Sequence, residues 1–255
     1  MALDHGSPWL RRYVHPTPPG LRMLCLPHAG GSATFFHRWG HAFGEGVEVM
    51  SARYPGRQER ILEEPLTEMG QLADALTEEL LPFLDTPLVI FGHSMGASLG
   101  YEIALRLQDR GNTPPALLMV SGRKAPHLLT PRTIDLNDDD ALIAEVLQLG
   151  GTDSALLEDP GLRELVLPAI RADFGVVARY PARPGVTLHC PVAAYVGDSD
   201  PAVDVESVRA WEQIAPKGFD MRVMPGGHFY LAEREAELIS DIGHRLDALQ
   251  RVRQP

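Results

Sequence analysis

Short blocks of apolar residues alternate along the chain with stretches whose apolar positions recur at helical spacing. Residues 23–26, 87–91, 116–120 and 192–196 are continuous apolar runs, and 47–52 and 221–224 are mostly apolar; all six read as strands. Residues 66–84 place Leu66, Met69, Leu72, Leu76 and Leu80 on one face of a helix. Residues 97–108 read as a second helix. The tail, 232–252, reads as another, with Leu238, Ile242 and Leu246 along one side. Strands that alternate with helices pair in parallel through crossover helices. Parallel strands are covered on both faces and lose the polar–apolar alternation, as these do. The predicted fold class is therefore α/β, a mostly parallel central sheet flanked by helices.

Two regions depart from this pattern. Residues 1–20 are rich in His, Pro and Gly and read as a loosely ordered lead-in. Residues 122–184 interrupt the alternation and are too long for a simple crossover. Asp138-Asp139-Asp140 can start a helix carrying Leu142, Ile143, Val146 and Leu147. A second helix over 161–177 carries Leu162, Leu165, Val166 and Ile170. The stretch reads either as two ordinary helices with loops or as a helical lid inserted over the sheet ends. No internal repeat is visible, and residues 1–255 read as one domain with 122–184 inserted in it.

Composition narrows the function classes. At 255 residues and 44% hydrophobic, the chain has enough apolar surface for a core. Its net charge of −11 repels phosphate backbones, so nucleic acid is a poor partner. No apolar run is long enough for a membrane helix, and the first residues lack the apolar stretch of a secretory signal. Two cysteines, Cys25 and Cys190, are too few for a disulfide scaffold and suit a reducing compartment. A cytoplasmic protein with no membrane association is expected.

The chemistry concentrates in a few loops. Gly92-His93-Ser94-Met95-Gly96 follows one predicted strand and precedes a predicted helix. That is the context a G-x-S-x-G nucleophile elbow requires, and it makes Ser94 the candidate nucleophile. A serine hydroxyl needs a base, and histidine titrates near operating pH. His228 follows Pro225-Gly226-Gly227 after the last strand and suits the chain order Ser…Asp…His of α/β-hydrolases. His93 reads as an elbow packing residue, and His28 as a residue that lines the site without acting as base. The third member comes from Gly197-Asp198-Ser199-Asp200-Pro201; both aspartates fall in the right loop, and Asp200 is preferred. Two backbone N–H groups should face the developing oxyanion. Met95 supplies one, and the glycine-rich loop His28-Ala29-Gly30-Gly31 supplies the other through Ala29. His28 and Phe229 are placed in the vicinity of the substrate and the lid. No metal-ligand spacing is visible, and serine hydrolysis needs no cofactor.

Taken in order, Pro27-His28-Ala29-Gly30-Gly31, Tyr54-Pro55-Gly56-Arg57, the Ser94 elbow, the Asp200 loop and Gly226-Gly227-His228-Phe229 resemble the type II thioesterases. These are free-standing α/β-hydrolases that serve polyketide synthases and nonribosomal peptide synthetases. The resemblance runs from about Leu21 to Leu249 and departs from the family at none of these motifs. It implies the α/β-hydrolase fold with a helical lid over 122–184. It implies Ser94, Asp200 and His228 as triad, and Met95 and Ala29 as oxyanion donors. It also implies hydrolysis of acyl groups held on the phosphopantetheine arm of acyl or peptidyl carrier proteins, without metal or cofactor. An esterase or lipase, or an acyltransferase, would use the same triad, whereas a non-catalytic binding module would be expected to lack a member of it. Carrier proteins are typically acidic, and Arg53, Arg57, Arg60, Arg123 and Lys124 could form a basic patch near the strand ends or simply a solvated face.

Overall fold

The computed structural model describes residues 7–15, 17–131, 135–150 and 159–253. Seven strands form one sheet: β1 (Leu10–Tyr13), β2 (Leu21–Leu26), β3 (Val47–Ala52), β4 (Leu88–His93), β5 (Leu117–Ser121), β6 (Val192–Gly197) and β7 (Phe219–Met224). Their order is β1-β3-β2-β4-β5-β6-β7. Every pairing is parallel except that of β1 with β3. The helices are α1 (Met69–Leu80), α2 (Met95–Asp109), α3 (Asp139–Leu149), α4 (Pro160–Arg179), α5 (Val205–Arg209), α6 (Tyr230–Glu233) and α7 (Glu235–Arg253).

The period-2 geometry of the strands sorts their side chains onto two cores. Leu24, Leu26, Ile90, Leu118 and Val120 face α1 and α2, where Leu72, Leu76, Leu99 and Ile103 meet them. Met23, Cys25, Val89, Phe91 and Met119 face the opposite side, where Leu238, Ile242 and Leu246 of α7 cover them. This double coverage is why β4, β5 and β6 read as nearly unbroken apolar runs. Cys25 and Cys190 are both buried and unpaired.

Strand β1 corrects the expectation of a loose lead-in. Only Leu10 of its four residues is buried, so no apolar run announces it. It is an antiparallel edge strand held by Leu10↔Ala52 through Tyr13↔Val49. The tail helix is also divided: Arg234, at φ −112°, separates α6 from α7.

The stretch between β5 and β6 holds α3 and α4. Asp138 caps α3 by accepting from the N–H groups of Asp140 and Ala141, and Asp159 caps α4 from Gly161 and Leu162. The two helices form a third cluster of Leu142, Val146, Leu167, Ile170 and Phe174. Leu147, Leu162 and Leu165, expected in the buried stripes, are exposed instead. Leu162 and Leu165 lie in the first two turns of α4, ahead of the segment from Leu167 onward that packs against the body.

Candidate active site

Ser94 sits between β4 and α2 with φ +54° and ψ −113°, a conformation costly for a residue with a Cβ. Its N–H donates to Ser121 O at 2.8 Å, which ties the elbow to β5. Crowding explains the flanking glycines. A Cβ on Gly92 would lie 2.1 Å from Gly96 O, and one on Gly96 would lie 2.1 Å from Leu26 O. The turn therefore packs backbone on backbone and lifts Ser94 to the head of α2.

The loops after β6 and β7 meet beside it. A Cβ on Gly197 would lie 2.3 Å from the carbonyl oxygens of both Gly226 and Gly227. Ser199 N–H donates to Gly226 O at 3.0 Å and Asp198 N–H to Met224 O at 2.8 Å. This approach brings His228 Nδ1 to 2.7 Å from Asp200 Oδ2. The Asp200 carboxylate is fully buried and its Oδ1 accepts from the N–H groups of Ala202 and Val203. With Nδ1 donating to a carboxylate, His228 Nε2 is the acceptor nitrogen. Asp198 is exposed and its Oδ1 accepts from Gly226 N–H and Ser199 Oγ, so it braces the loop and leaves His228 to Asp200.

Ser94, His228 and Ala29 line one cavity of about 360 Å³. Leu149 of α3 and Phe174, Val177 and Ala178 of α4 form its apolar wall. Met95 is the first residue of α2. Among the described residues, neither its N–H nor that of Ala29 has a hydrogen-bond acceptor.

Two further histidines, His28 and His93, pack near His228. His28 is buried, with its ring 4.6 Å from Phe229 and 5.0 Å from Phe35. Burial, with His228 and Arg57 nearby, pushes its pKa down to about 3, so it is neutral near pH 7. Neither His28 nor Phe229 is among the residues lining the cavity. Phe229 does approach Gly150 at the end of α3, where a Cβ would lie 3.9 Å from its ring. His93 is buried and bonds Ser121 Oγ at 2.8 Å, which in turn meets Tyr230 Oη at 2.6 Å. This makes His93 a packing residue of the elbow, as the sequence suggested.

Arg57, Arg60, Arg123 and Lys124, which could form a basic patch or a solvated face, have partners within the chain. Arg57, largely shielded from solvent, forms a bidentate pair with the buried Asp173 of α4. Arg60 is buried on Trp9 and paired with Glu63. Arg123 donates to Ser98 Oγ, and Lys124 lies 3.9 Å from Asp204. Three of these partners are carboxylates, Asp173, Glu63 and Asp204. The pairing of Arg57 with Asp173 escaped the sequence reading; no local pattern links residues 116 positions apart.

Residues 22–246 match the thioesterase domain family. The chain belongs to the thioesterase family. Thioesterase PikA5 of Streptomyces venezuelae is 41% identical over 96% of this chain and 87% of its own length. The structure of BorB, a type II thioesterase from the borrelidin biosynthetic cluster, superposes with a TM-score of 0.85 at 38% identity, covering 95% of this chain and 99% of that one. YbtT, a type II thioesterase from the yersiniabactin NRPS/PKS pathway, gives a TM-score of 0.83 at 30% identity over 94% and 99%. This thioesterase thus shares the α/β-hydrolase architecture of those enzymes along nearly all of its length. Among its described residues, no helix is long and apolar enough to cross a membrane.

Proposed function

We propose that this thioesterase removes aberrant acyl groups from the phosphopantetheine arms of acyl or peptidyl carrier proteins, in the cytoplasm, and so frees stalled synthases. Ser94 is the nucleophile, His228 the general base and acid, and Asp200 the group that orients His228. The observation that carries this reading is the contact of His228 Nδ1 with the buried Asp200 carboxylate, beside an elbow serine on a shared cavity.

Chemistry follows from the geometry. Ser94 Oγ attacks the thioester carbonyl while His228 Nε2 takes its proton. The negative charge that develops on the carbonyl oxygen is met by the N–H groups of Met95 and Ala29, pre-aimed at no reorganisation cost. Asp200 keeps the imidazole in the productive tautomer and stabilises the imidazolium. Collapse expels the pantetheine thiol, which takes the proton from His228. A thiol has a pKa of about 8.5, so this leaving group asks less of the acid than an alkoxide would. Water, deprotonated by His228, then attacks the acyl-Ser94 ester and releases the carboxylic acid.

The stretch 122–184 acts as a lid. Its helices supply the wall opposite Ser94, and that wall is where an acyl chain must rest. The cavity of about 360 Å³ lies at the small end of ligand pockets, which run from ~300 to 1,000 Å³. The decisive experiment is a panel of acyl groups presented on a carrier protein, as free pantetheine thioesters and as simple oxygen esters. Faster cleavage of the carrier-bound thioesters supports the proposal; preference for oxygen esters refutes it.

A further inference from the structure

The loop that carries Ala29 is held by the lid. Gly30 N–H donates to Asp173 Oδ2 at 2.7 Å. Arg57 closes the other side, donating from Nη1 to the same Oδ2 at 2.6 Å and from Nη2 to Oδ1 at 2.9 Å. The same Nη1 reaches Gly31 O at 2.9 Å. One turn earlier on α4, Ile170 presses on the loop: a Cβ on Gly30 would lie 3.0 Å from Ile170 Cγ1. Asp173 is 2% exposed and Arg57 10%, so the pair is shielded from water and salt. Burial alone would depress the Arg57 guanidinium, but the facing carboxylate more than offsets this and holds its pKa above the ordinary value.

Residues 173 and 174 therefore serve two sides of one helix. Asp173 points to the oxyanion loop, and its neighbour Phe174 faces the acyl cavity. Together with the proposed oxyanion role of Ala29, on which this step rests, the geometry points to Asp173 and Arg57 as positioning residues that set the Ala29 N–H only when α4 is seated. An acyl group that pushes α4 outward withdraws Asp173 from Gly30 and releases the loop. Poorly fitting substrates then lose turnover rather than binding. Buried charge pairs are weak sources of net stability, because desolvation opposes their attraction. Holding a loop in one geometry is a use that does not depend on net stabilisation.

The test uses Asp173→Asn and Arg57→Lys with propionyl-N-acetylcysteamine, a thioester too small to need the carrier. Asparagine turns an amide toward the guanidinium and breaks the pair. Lysine keeps the charge but lacks the second nitrogen that donates to Asp173 Oδ1, so the bidentate pair is lost. Loss of one oxyanion donor costs on the order of 10²-fold in kcat, so Asp173→Asn should lower kcat by about that factor with KM within about threefold. Binding of butylboronic acid, which forms a tetrahedral adduct on the serine, should weaken in step with kcat. Binding of the unreactive propionamide analogue should hold within about threefold, since it makes no oxyanion. Arg57→Lys should show the same pattern at smaller size, and it decides the question if Asp173→Asn does not fold. Wild-type kcat in a folded variant, or equal weakening of adduct and amide, overturns the positioning role. Ser94→Ala separates the levels: an inert Ser94→Ala beside a fully active Asp173→Asn removes the clamp alone, whereas an active Ser94→Ala removes the site itself.

Discussion

The sheet and the insert between β5 and β6 hold the same cavity by different means. Ser94, Asp200 and His228 stand on loops fixed by backbone against backbone, at Gly92, Gly96 and Gly197, where no side chain fits. The wall from α3 and α4 rests on a small apolar cluster, on the long-range pair of Asp173 with Arg57 and, late in α4, on Val176 in the main core. The first arrangement has no slack. The second can shift by loosening a few side-chain contacts, and segments with few buried contacts are the ones that open first. On the proposed reading, the reacting atoms are kept rigid while the wall that would judge the acyl chain keeps room to move.

The largest expected effect falls on the rigid half. Ser94→Ala should lower kcat by about 10⁴-fold or more while leaving thermal unfolding unchanged. Near wild-type hydrolysis by the purified variant would remove the sheet-borne site from the comparison altogether.

Next is the paired substitution in the acid loop. Asp200→Asn should cost up to about 10⁴-fold in kcat, because asparagine favours the wrong His228 tautomer. Asp198→Asn should stay within a few fold, since Asp198 only braces Gly226 and Ser199. Steady-state kinetics of the two variants, side by side, check this; comparable losses would mean that the loop, rather than one carboxylate, supports His228.

The softer half should answer in selectivity. Val177 is half-buried and lines the cavity from α4. Val177→Phe should depress hydrolysis of longer acyl thioesters about tenfold relative to acetyl, within the ~1–3 kcal/mol that a hydrophobic pocket can discriminate. A uniform loss at all chain lengths would show that the wall does not read the chain.

The smallest effect is on stability. His28 has a folded pKa of about 3, below its unfolded value. The unfolded chain then binds the extra proton first, so stability is full above about pH 6.5 and declines as pH falls toward the folded value. Between pH 7 and pH 5 this site should account for about 2 kcal/mol of lost unfolding free energy. Urea titrations at both values, for wild type and His28→Gln, should show a shallower decline in the variant. Identical slopes would mean that His28 is not held neutral.

What could be read from the sequence follows the same division. The elbow glycines, the Asp200 loop and the His228 loop are local in the chain and placed at the ends of apolar strands, so spacing alone exposes them. The sequence prefers Asp200 although Asp198 sits in the same loop; in the fold, burial and the 2.7 Å contact with His228 distinguish the two. Strand β1 was hidden by Arg11 and Arg12, whose side chains pair with Glu59 and Glu48 at the edge instead of packing in a core. Leu147, Leu162 and Leu165 were misplaced because helical spacing marks a stripe without saying where the helix meets the body. Arg57 looked like surface charge until Asp173 was brought to it across the fold.

Burial of both cysteines has a practical corollary. Desolvation pushes the thiol of Cys190 up to about 12 and that of Cys25 higher, and only the thiolate reacts with alkylating reagents. The native chain should therefore be nearly silent toward maleimides, which a maleimide-labelling assay on the folded protein checks. A single cysteine introduced at exposed Leu165 on α4, with a second at a fixed point on α7, would accept spin or fluorescent labels without first removing the natural thiols. The distance between such labels could then be followed while acyl groups of increasing length are loaded on Ser94.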